Sequence, residues 1–285
     1  MKNILIFMLM ATSIASYSQK KEIIYLWPGK VPGETKEKGL PAIVPSKNDN
    51  ILRYSEITNP SIEVWIPEAS LRNGKSVIVC PGGGYSILAW DLEGTEVAAW
   101  LNTIGYTAFV LQYRVPNNKE GALQDVQRAL RVVGSRTGEW GLDAGNIGVM
   151  GFSAGASLSA RACTMFDKIT YTPVDDADSL SCKPAFGLFI YPAYLDLGPD
   201  HTLTPELKLH TGIPPVFIFQ TADDPYANSS LVFASAMRNA KLSVELHLLP
   251  EGGHGYGLRP GKRASSTWPV LGEKWLKTMM SPGRL

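Results

Sequence analysis

The chain has 285 residues, 45% hydrophobic and 19% charged, enough to bury a substantial core as one large domain or two small ones. Its 27 basic residues against 26 acidic ones become 26 against 26 once Lys2 is set aside with a leader, so nothing in the balance points to a nucleic-acid or membrane-surface partner. Three cysteines at 80, 163 and 182 lack metal-ligand spacing, and their odd number leaves one over even if Cys163 and Cys182 pair.

Lys2, the apolar run Ile4 to Met10 and the small residues ending Ser16-Tyr17-Ser18 read as a secretory signal with cleavage before Gln19. The apolar segment is too short for a stable membrane anchor, so export to the periplasm or the medium is expected. From Gln19 to Ala69 the chain is rich in proline, glycine and lysine, with strand-like pieces at Ile23 to Trp27 and Ile62 to Ile66. The second piece alternates apolar and polar residues, as a half-solvated edge strand does.

Beyond the Asn73-Gly74 turn the pattern is regular. Apolar runs at Val77 to Cys80, Thr107 to Leu111, Ile147 to Met150, Phe186 to Ile190, Val216 to Phe219 and Val244 to Leu249 suit strands buried on both faces. Helical stripes lie between them. Val97, Trp100, Leu101 and Ile104 form one; Leu123, Val126, Leu130 and Val133 form another, with Asp125, Arg128 and Arg131 expected on its solvated side. Leu231, Ala234 and Met237 give a shorter stripe, and Trp268, Leu271, Trp275 and Met279 the last. This alternation predicts an α/β fold: one domain over 19–285, built on a mostly parallel, doubly wound sheet with helices on both faces. Two stretches break it, Thr170 to Pro184 and Ala193 to Pro215. The second follows a strand end, where ligands sit in open α/β sheets, so it is expected on the rim of the pocket.

The chemistry centres on Gly151-Phe152-Ser153-Ala154-Gly155, a G-x-S-x-G nucleophile elbow between a buried strand and a stretch of small residues. A serine hydroxyl needs a base and an acid that orients it. His254, in the glycine-rich loop Glu251 to Gly257 after the last strand, is the best placed of the four histidines. The acid belongs between nucleophile and histidine, where the strand Val216 to Phe219 runs on to Asp223-Asp224-Pro225. Asp224 is assigned to the triad, with Asp223 as the alternative; the other carboxylate is expected to cap the helix starting near Tyr226. Upstream, Pro81-Gly82-Gly83-Gly84-Tyr85 closes the first buried strand with a turn whose amides can face an oxyanion. Its spacing fits neither a dinucleotide site nor a P-loop. Ala154 follows the nucleophile and offers another amide.

With these parts assembled, the chain resembles the α/β-hydrolases, and within them the bacterial carbohydrate esterases typified by acetylxylan and feruloyl esterases. The resemblance runs through Leu26-Trp27-Pro28-Gly29, Cys80 to Tyr85, Asp91-Leu92-Glu93-Gly94, Leu111 to Pro116, Gly148 to Gly155, Ala222 to Pro225 and Gly252 to Gly255. It implies catalytic roles for Ser153, Asp224 and His254 and oxyanion roles for Gly83, Gly84 and Ala154. Two departures stand out. Pro81 occupies a place where related esterases commonly have a histidine, so any role of that histidine in pinning the loop is lost, and Ala156 one where many have a second glycine.

The resemblance implies an exported serine esterase that removes acetyl or other small acyl groups from polysaccharide-derived sugars such as acetylated xylan. Its partner is an acylated oligosaccharide, and the chemistry needs no metal or organic cofactor. Tyr85, Trp90 and Tyr194 are the candidate sugar-facing aromatics. Two other readings stay open: a serine peptidase-like hydrolase on the same fold, and a carbohydrate-binding protein on an inactive hydrolase scaffold.

Overall fold

The structure, a computed structural model, describes residues 22–45 and 48–279. The leader expected over residues 1–18 lies outside them. Among the described residues no helix is long and apolar enough to cross a membrane.

The N-terminal segment supplies β1 (Glu22–Tyr25), β2 (Ala42–Val44), β3 (Arg53–Ser55) and β4 (Ser61–Trp65). After β5 (Ser76–Cys80) and the short β6 (Leu88–Ala89), the helix α1 (Glu96–Thr103) leads to β7 (Thr107–Gln112). Then come α2 (Lys119–Ser135), the single turn α3 (Thr137–Trp140), β8 (Ile147–Phe152) and α4 (Ala154–Thr164). The chain closes with β9 (Gly187–Ile190), β10 (Val216–Thr221), α5 (Ala227–Asn239), β11 (Val244–Leu249) and α6 (Arg263–Thr278).

Eight strands form one sheet in the order β1-β4-β7-β5-β8-β9-β10-β11, parallel from β7 onward, with β1 and β4 antiparallel. β2, β3 and β6 make a small separate sheet. The runs read as strands all fall in the main sheet; five of them are buried on both faces, but Val244 to Leu249, expected to be buried as well, forms the edge strand β11 and is only partly covered, with Leu248 exposed. β9 shows the burial of both faces: Phe189 meets Phe233 of α5 at 5.6 Å, whereas Leu188, pointing the other way, lies 3.7 Å from a Cβ built on Gly272 of α6. On that second face α1 and α6 meet through Trp100 and Trp268, ring centres 5.0 Å apart.

The connection order reverses beside β5. The chain passes from β5 to its neighbour β7 and returns to β8 on the other side of β5. A crevice opens beyond the carboxyl ends of the strands at such a reversal. The register pairs Cys80 with Gly151 there, so the turn after β5 and the elbow after β8 emerge side by side.

Three further sequence expectations change. β4 is not the edge strand; β1 pairs against its outer side, and Ile62 and Val64 are buried. Leu231 faces solvent, leaving Ala234 and Met237 as the packed stripe of α5. Asp125 and Arg128, assigned to solvent by helical period, are buried. Asp125 accepts the Trp27 indole N–H at 2.9 Å and the Arg114 backbone N–H and guanidinium. Arg128 donates to the Leu26 carbonyl and pairs with Asp175 and Asp178 in the stretch between α4 and β9. The period placed these charges opposite the sheet correctly, but the N-terminal segment and the acidic stretch cover that face.

All three cysteines are free and buried. Cys182 does not pair with Cys163; its thiol donates to the Phe166 carbonyl at 3.2 Å.

Candidate active site

Ser153 sits between β8 and α4 with φ 52° and ψ −118°, a backbone conformation that side chains rarely adopt. The fold holds it there from both sides. Its N–H donates to the Ile190 carbonyl at the end of β9, and its carbonyl accepts the Ala193 and Ser157 amides. Gly151 and Gly155 make the bend possible through close approach: a Cβ on Gly151 would lie 2.1 Å from the Gly155 carbonyl oxygen, and one on Gly155 2.0 Å from that of Cys80.

The Ser153 hydroxyl is 2.7 Å from His254 Nε2, and His254 Nδ1 is 2.7 Å from Asp224 Oδ2. An ionised carboxylate only accepts, so Nδ1 carries the proton and donates to Asp224, leaving Nε2 to accept from Ser153. The Asp224 side chain is fully buried and the imidazole is one quarter exposed, so the base is reachable from solvent while the acid is not. Asp224 also caps the turn ahead of α5, where its Oδ1 accepts the Tyr226 amide at 2.8 Å.

Asp223, expected as an alternative acid or a cap, does neither. Its oxygens accept the amides of Gly252 and Gly253 at 3.2 and 2.9 Å, gripping the loop just before His254. These amides hold its carboxyl below the usual carboxylate range. The Thr221 hydroxyl completes the grip by donating to the Gly253 carbonyl.

In the turn after β5 the carbonyls are tied back. The Tyr113 hydroxyl donates to Pro81, the Ala89 amide to Gly82, the Ser86 and Ile87 amides to Gly83, and the Asn117 amide to Tyr85. The Gly82 amide is spent on a buried carboxylate, Glu93 Oε2 at 2.8 Å. Gly83 and Gly84 both have positive φ, and at Gly83 a Cβ would lie 2.2 Å from the Ile87 carbonyl oxygen. Ala154 opens α4, where an amide has no carbonyl within its own helix to bond.

Glu93 and Tyr191 escaped the sequence reading. Glu93 stands inside Asp91-Leu92-Glu93-Gly94, one of the segments that carry the resemblance, but nothing in that segment reports its depth. Its residue is 3% exposed and its Oε1 accepts the Tyr191 hydroxyl at 2.8 Å. Burial pushes its carboxyl above the ordinary value, against the opposing pull of Tyr191 and the Gly82 amide. Burial and the adjacent Glu93 push the Tyr191 phenol well above its ordinary value, so it stays a donor.

Of the three aromatics, Tyr85 is buried between Tyr113 and Tyr194, and Trp90 is buried against Tyr54, so neither presents a free face. Their neighbours in the core claim the rings. Tyr194 is half-buried and close to Tyr226, whose ring lies 4.9 Å from that of His254. It is the part of the Ala193 to Pro215 stretch that reaches the rim, its hydroxyl 3.6 Å from a Cβ built on Gly84. A cleft of about 380 Å³ opens beside Gly84, lined by Tyr85, Asn117, Asn118, Lys119 and Glu120. A second groove, of about 300 Å³, runs past Tyr25, Leu40, Ile43, Tyr54 and Trp90, and none of its lining residues belongs to the Ser153 constellation. His210 and Asp196 are structural: His210 Nδ1 accepts the Gly212 amide, and Asp196 accepts from Asn228 and Ser229.

The fold matches that of an α/β-hydrolase from a Medee basin deep-sea metagenome library, with a TM-score of 0.63 and 22% identity over 84% of this chain and 97% of that one. It matches more strongly an acetyl ester-xyloside bifunctional hydrolase from Caldicellulosiruptor lactoaceticus, with a TM-score of 0.71 and 29% identity over 90% of this chain and 96% of that one.

The chain has the α/β-hydrolase fold. Within that fold, residues 62–178 match the BD-FAE family. The chain is 31% identical over 248 residues to an acetylxylan esterase of Xylanibacter ruminicola, a match covering 81% of this chain. It spans about half of that relative's length, 51%.

Proposed function

We propose that the chain is a serine carboxylesterase that removes acetyl or similarly small acyl groups from polysaccharide-derived sugars. The observation that carries this reading is the unbroken line from the Ser153 hydroxyl through the His254 imidazole to the buried Asp224 carboxylate, 2.7 Å at each step. Its similarity to an acetylxylan esterase and an acetyl ester-xyloside hydrolase supports the substrate class.

In this reading Ser153 Oγ attacks the ester carbonyl carbon as His254 Nε2 takes its proton, and Asp224 stabilises the imidazolium. The amides of Gly83, Gly84 and Ala154 receive the oxyanion. His254 returns the proton to the sugar oxygen as the ester bond breaks, leaving an acetyl group on Ser153. Water, deprotonated by the same imidazole, then releases acetate. Tyr194 and Tyr226 flank the approach and supply rings for the sugar. The apolar run after Lys2 supports export; N-terminal sequencing of the expressed protein beginning at Gln19 is the result expected, and a retained leader the one that overturns it.

The test is acetate release from acetylated xylan and from p-nitrophenyl acetate by the wild-type chain and by Ser153→Ala. The reading requires turnover by the first and a loss of at least about a thousandfold in the second. Normal turnover by Ser153→Ala removes Ser153 as nucleophile. Cleavage of short peptide amides without acetate release favours the peptidase instead, and absence of a fluorophosphonate adduct at Ser153 favours a binding protein.

A further inference from the structure

The three loops that meet at Ser153 are joined underneath by a side chain that touches none of the reacting groups. Glu93 lies in a wide helical turn, Asp91–Thr95, that precedes α1. Its Oε2 accepts the Gly82 amide at 2.8 Å, and its Oε1 accepts the Tyr191 hydroxyl at 2.8 Å. The Tyr191 oxygen in turn accepts the Gly257 amide at 3.0 Å, three residues beyond His254. The Tyr191 ring packs edge-on against the imidazole, ring centres 5.1 Å apart, from a backbone with φ 39°. A Cβ on Gly82 would lie 2.6 Å from Glu93 Oε2 and 2.9 Å from Ser153 Cβ, so the carboxylate sits directly below the elbow.

We infer that Glu93 is the positioning residue of this site: one buried carboxylate that sets the glycine turn and, through Tyr191, the histidine loop and its imidazole. The inference rests on the esterase reading. Together the Glu93 carboxylate and the Tyr113 hydroxyl hold the glycine turn at Gly82 and Pro81.

The hydrogen-bond pattern suits the ionised form. Gly82 can only donate, and the Tyr191 oxygen already accepts from Gly257, which leaves its proton for Glu93. Two donors converge on two carboxylate oxygens in a buried site, where a negative charge acts more strongly on a nearby imidazolium than it would in water. Glu93 touches Tyr191 and acts electrostatically on Tyr113 and His254; His254 itself touches Ser153, Asp224, Tyr191 and Tyr226. The charge costs stability, because burial raises the native carboxyl above its unfolded value. The folded chain therefore binds that proton more readily than the unfolded one, and its stability rises as pH falls through this window. A neutral isostere relieves the cost while weakening the field at the base.

Function and stability should accordingly move in opposite directions in Glu93→Gln. Its amide oxygen can still accept from Gly82 and its NH₂ can donate to the Tyr191 oxygen, so the fold is retained. The experiment measures kcat and KM on p-nitrophenyl acetate across pH 4 to 9, and the unfolding midpoint, for wild type, Glu93→Gln, Tyr191→Phe and the double variant. The expected result is a kcat lowered roughly tenfold with KM changed less than about twofold, an acid limb displaced to lower pH, and a midpoint equal to or above wild type. Tyr191→Phe should lower kcat similarly, and the double variant should lose less than the product of the two. Wild-type kcat and pH profile in Glu93→Gln overturn the inference. So does a kcat loss accompanied by a lowered midpoint and an unshifted profile, the mark of a merely structural residue. Ser153→Ala in the same assay separates the two readings: if it retains turnover, the esterase reading fails, whatever Glu93→Gln does.

Discussion

The Asp223 carboxylate accepts the amide of Gly253 at 2.9 Å, so the residue next to Asp224 holds the residue next to His254. The paired aspartates divide the placement of one imidazole. Asp224 orients the ring of His254, and Asp223 fixes the backbone that carries it. Asp224→Asn should lower kcat about 10³- to 10⁴-fold. Its amide oxygen must face the Tyr226 N–H that Oδ1 now accepts, which turns its NH₂ toward His254 and forces the proton onto Nε2, facing Ser153. Asp223→Asn keeps one acceptor and should lower kcat only a few-fold. Steady-state kinetics of the two variants decide the assignment.

The pH dependence of the clamp follows from the lowered Asp223 carboxyl. Its contribution is complete above the unfolded value of 3.8 and is lost only as pH falls further, through the native value. Across an assay from pH 4 to 9 the clamp therefore stays closed. The pH–rate profile of Asp223→Asn should have the wild-type shape at reduced height, and a displaced acid limb would contradict this.

Gly155→Ala tests how tightly the elbow is seated. The added methyl would meet the Cys80 and Pro81 carbonyl oxygens at 2.0 and 2.6 Å, forcing apart β5 and α4 and with them the glycine turn and the nucleophile. A loss of about 3 kcal/mol in stability and at least about a hundredfold in kcat is expected. Gly138→Ala, where a Cβ meets nothing within 4 Å, should match wild type in both and serves as the control.

Asp125→Ala leaves the Arg114 guanidinium buried without its carboxylate and the Trp27 indole N–H without its acceptor. Removing one partner of such a pair costs about 3 to 5 kcal/mol. Thermal unfolding should show a midpoint lowered by roughly 10 °C. The nucleophile lies elsewhere, so fluorophosphonate labelling of Ser153 at low temperature should persist.

The three thiols should be silent in the native state. Cys80 is fully buried and its thiol is pushed up to about 12, and burial raises Cys163 and Cys182 as well. Ellman's reagent should titrate no fast thiol in the folded chain and three after unfolding in guanidinium chloride. A count of one after unfolding would mean that Cys163 and Cys182 had joined.

The sequence displayed the hydrogen-bonded line Ser153–His254–Asp224 more clearly than its supports. Each of the three residues follows a strand, β8, β10 or β11, and glycines mark two of the three turns, so local pattern and spacing brought them together. Glu93 and Tyr191 could not be read this way, because their significance lies in contacts across 98 positions. The same limit misplaced Asp125 and Arg128. Helical period gives the face of a residue, but only the folded chain shows that Trp27 and Asp175 cover it. Tyr85 and Trp90 were legible as aromatics near glycine turns, yet depth is a property of the packing around them.

β9 contributes none of the three triad residues, yet it sets the span they must bridge. The nucleophile leaves β8 and the acid follows β10, two strand spacings or roughly 9.6 Å apart, and β9 lies between them. That interval is written in main-chain hydrogen bonds, which side-chain substitution does not remove. The loops above can therefore diverge while the interval between Ser153 and Asp224 stays constant.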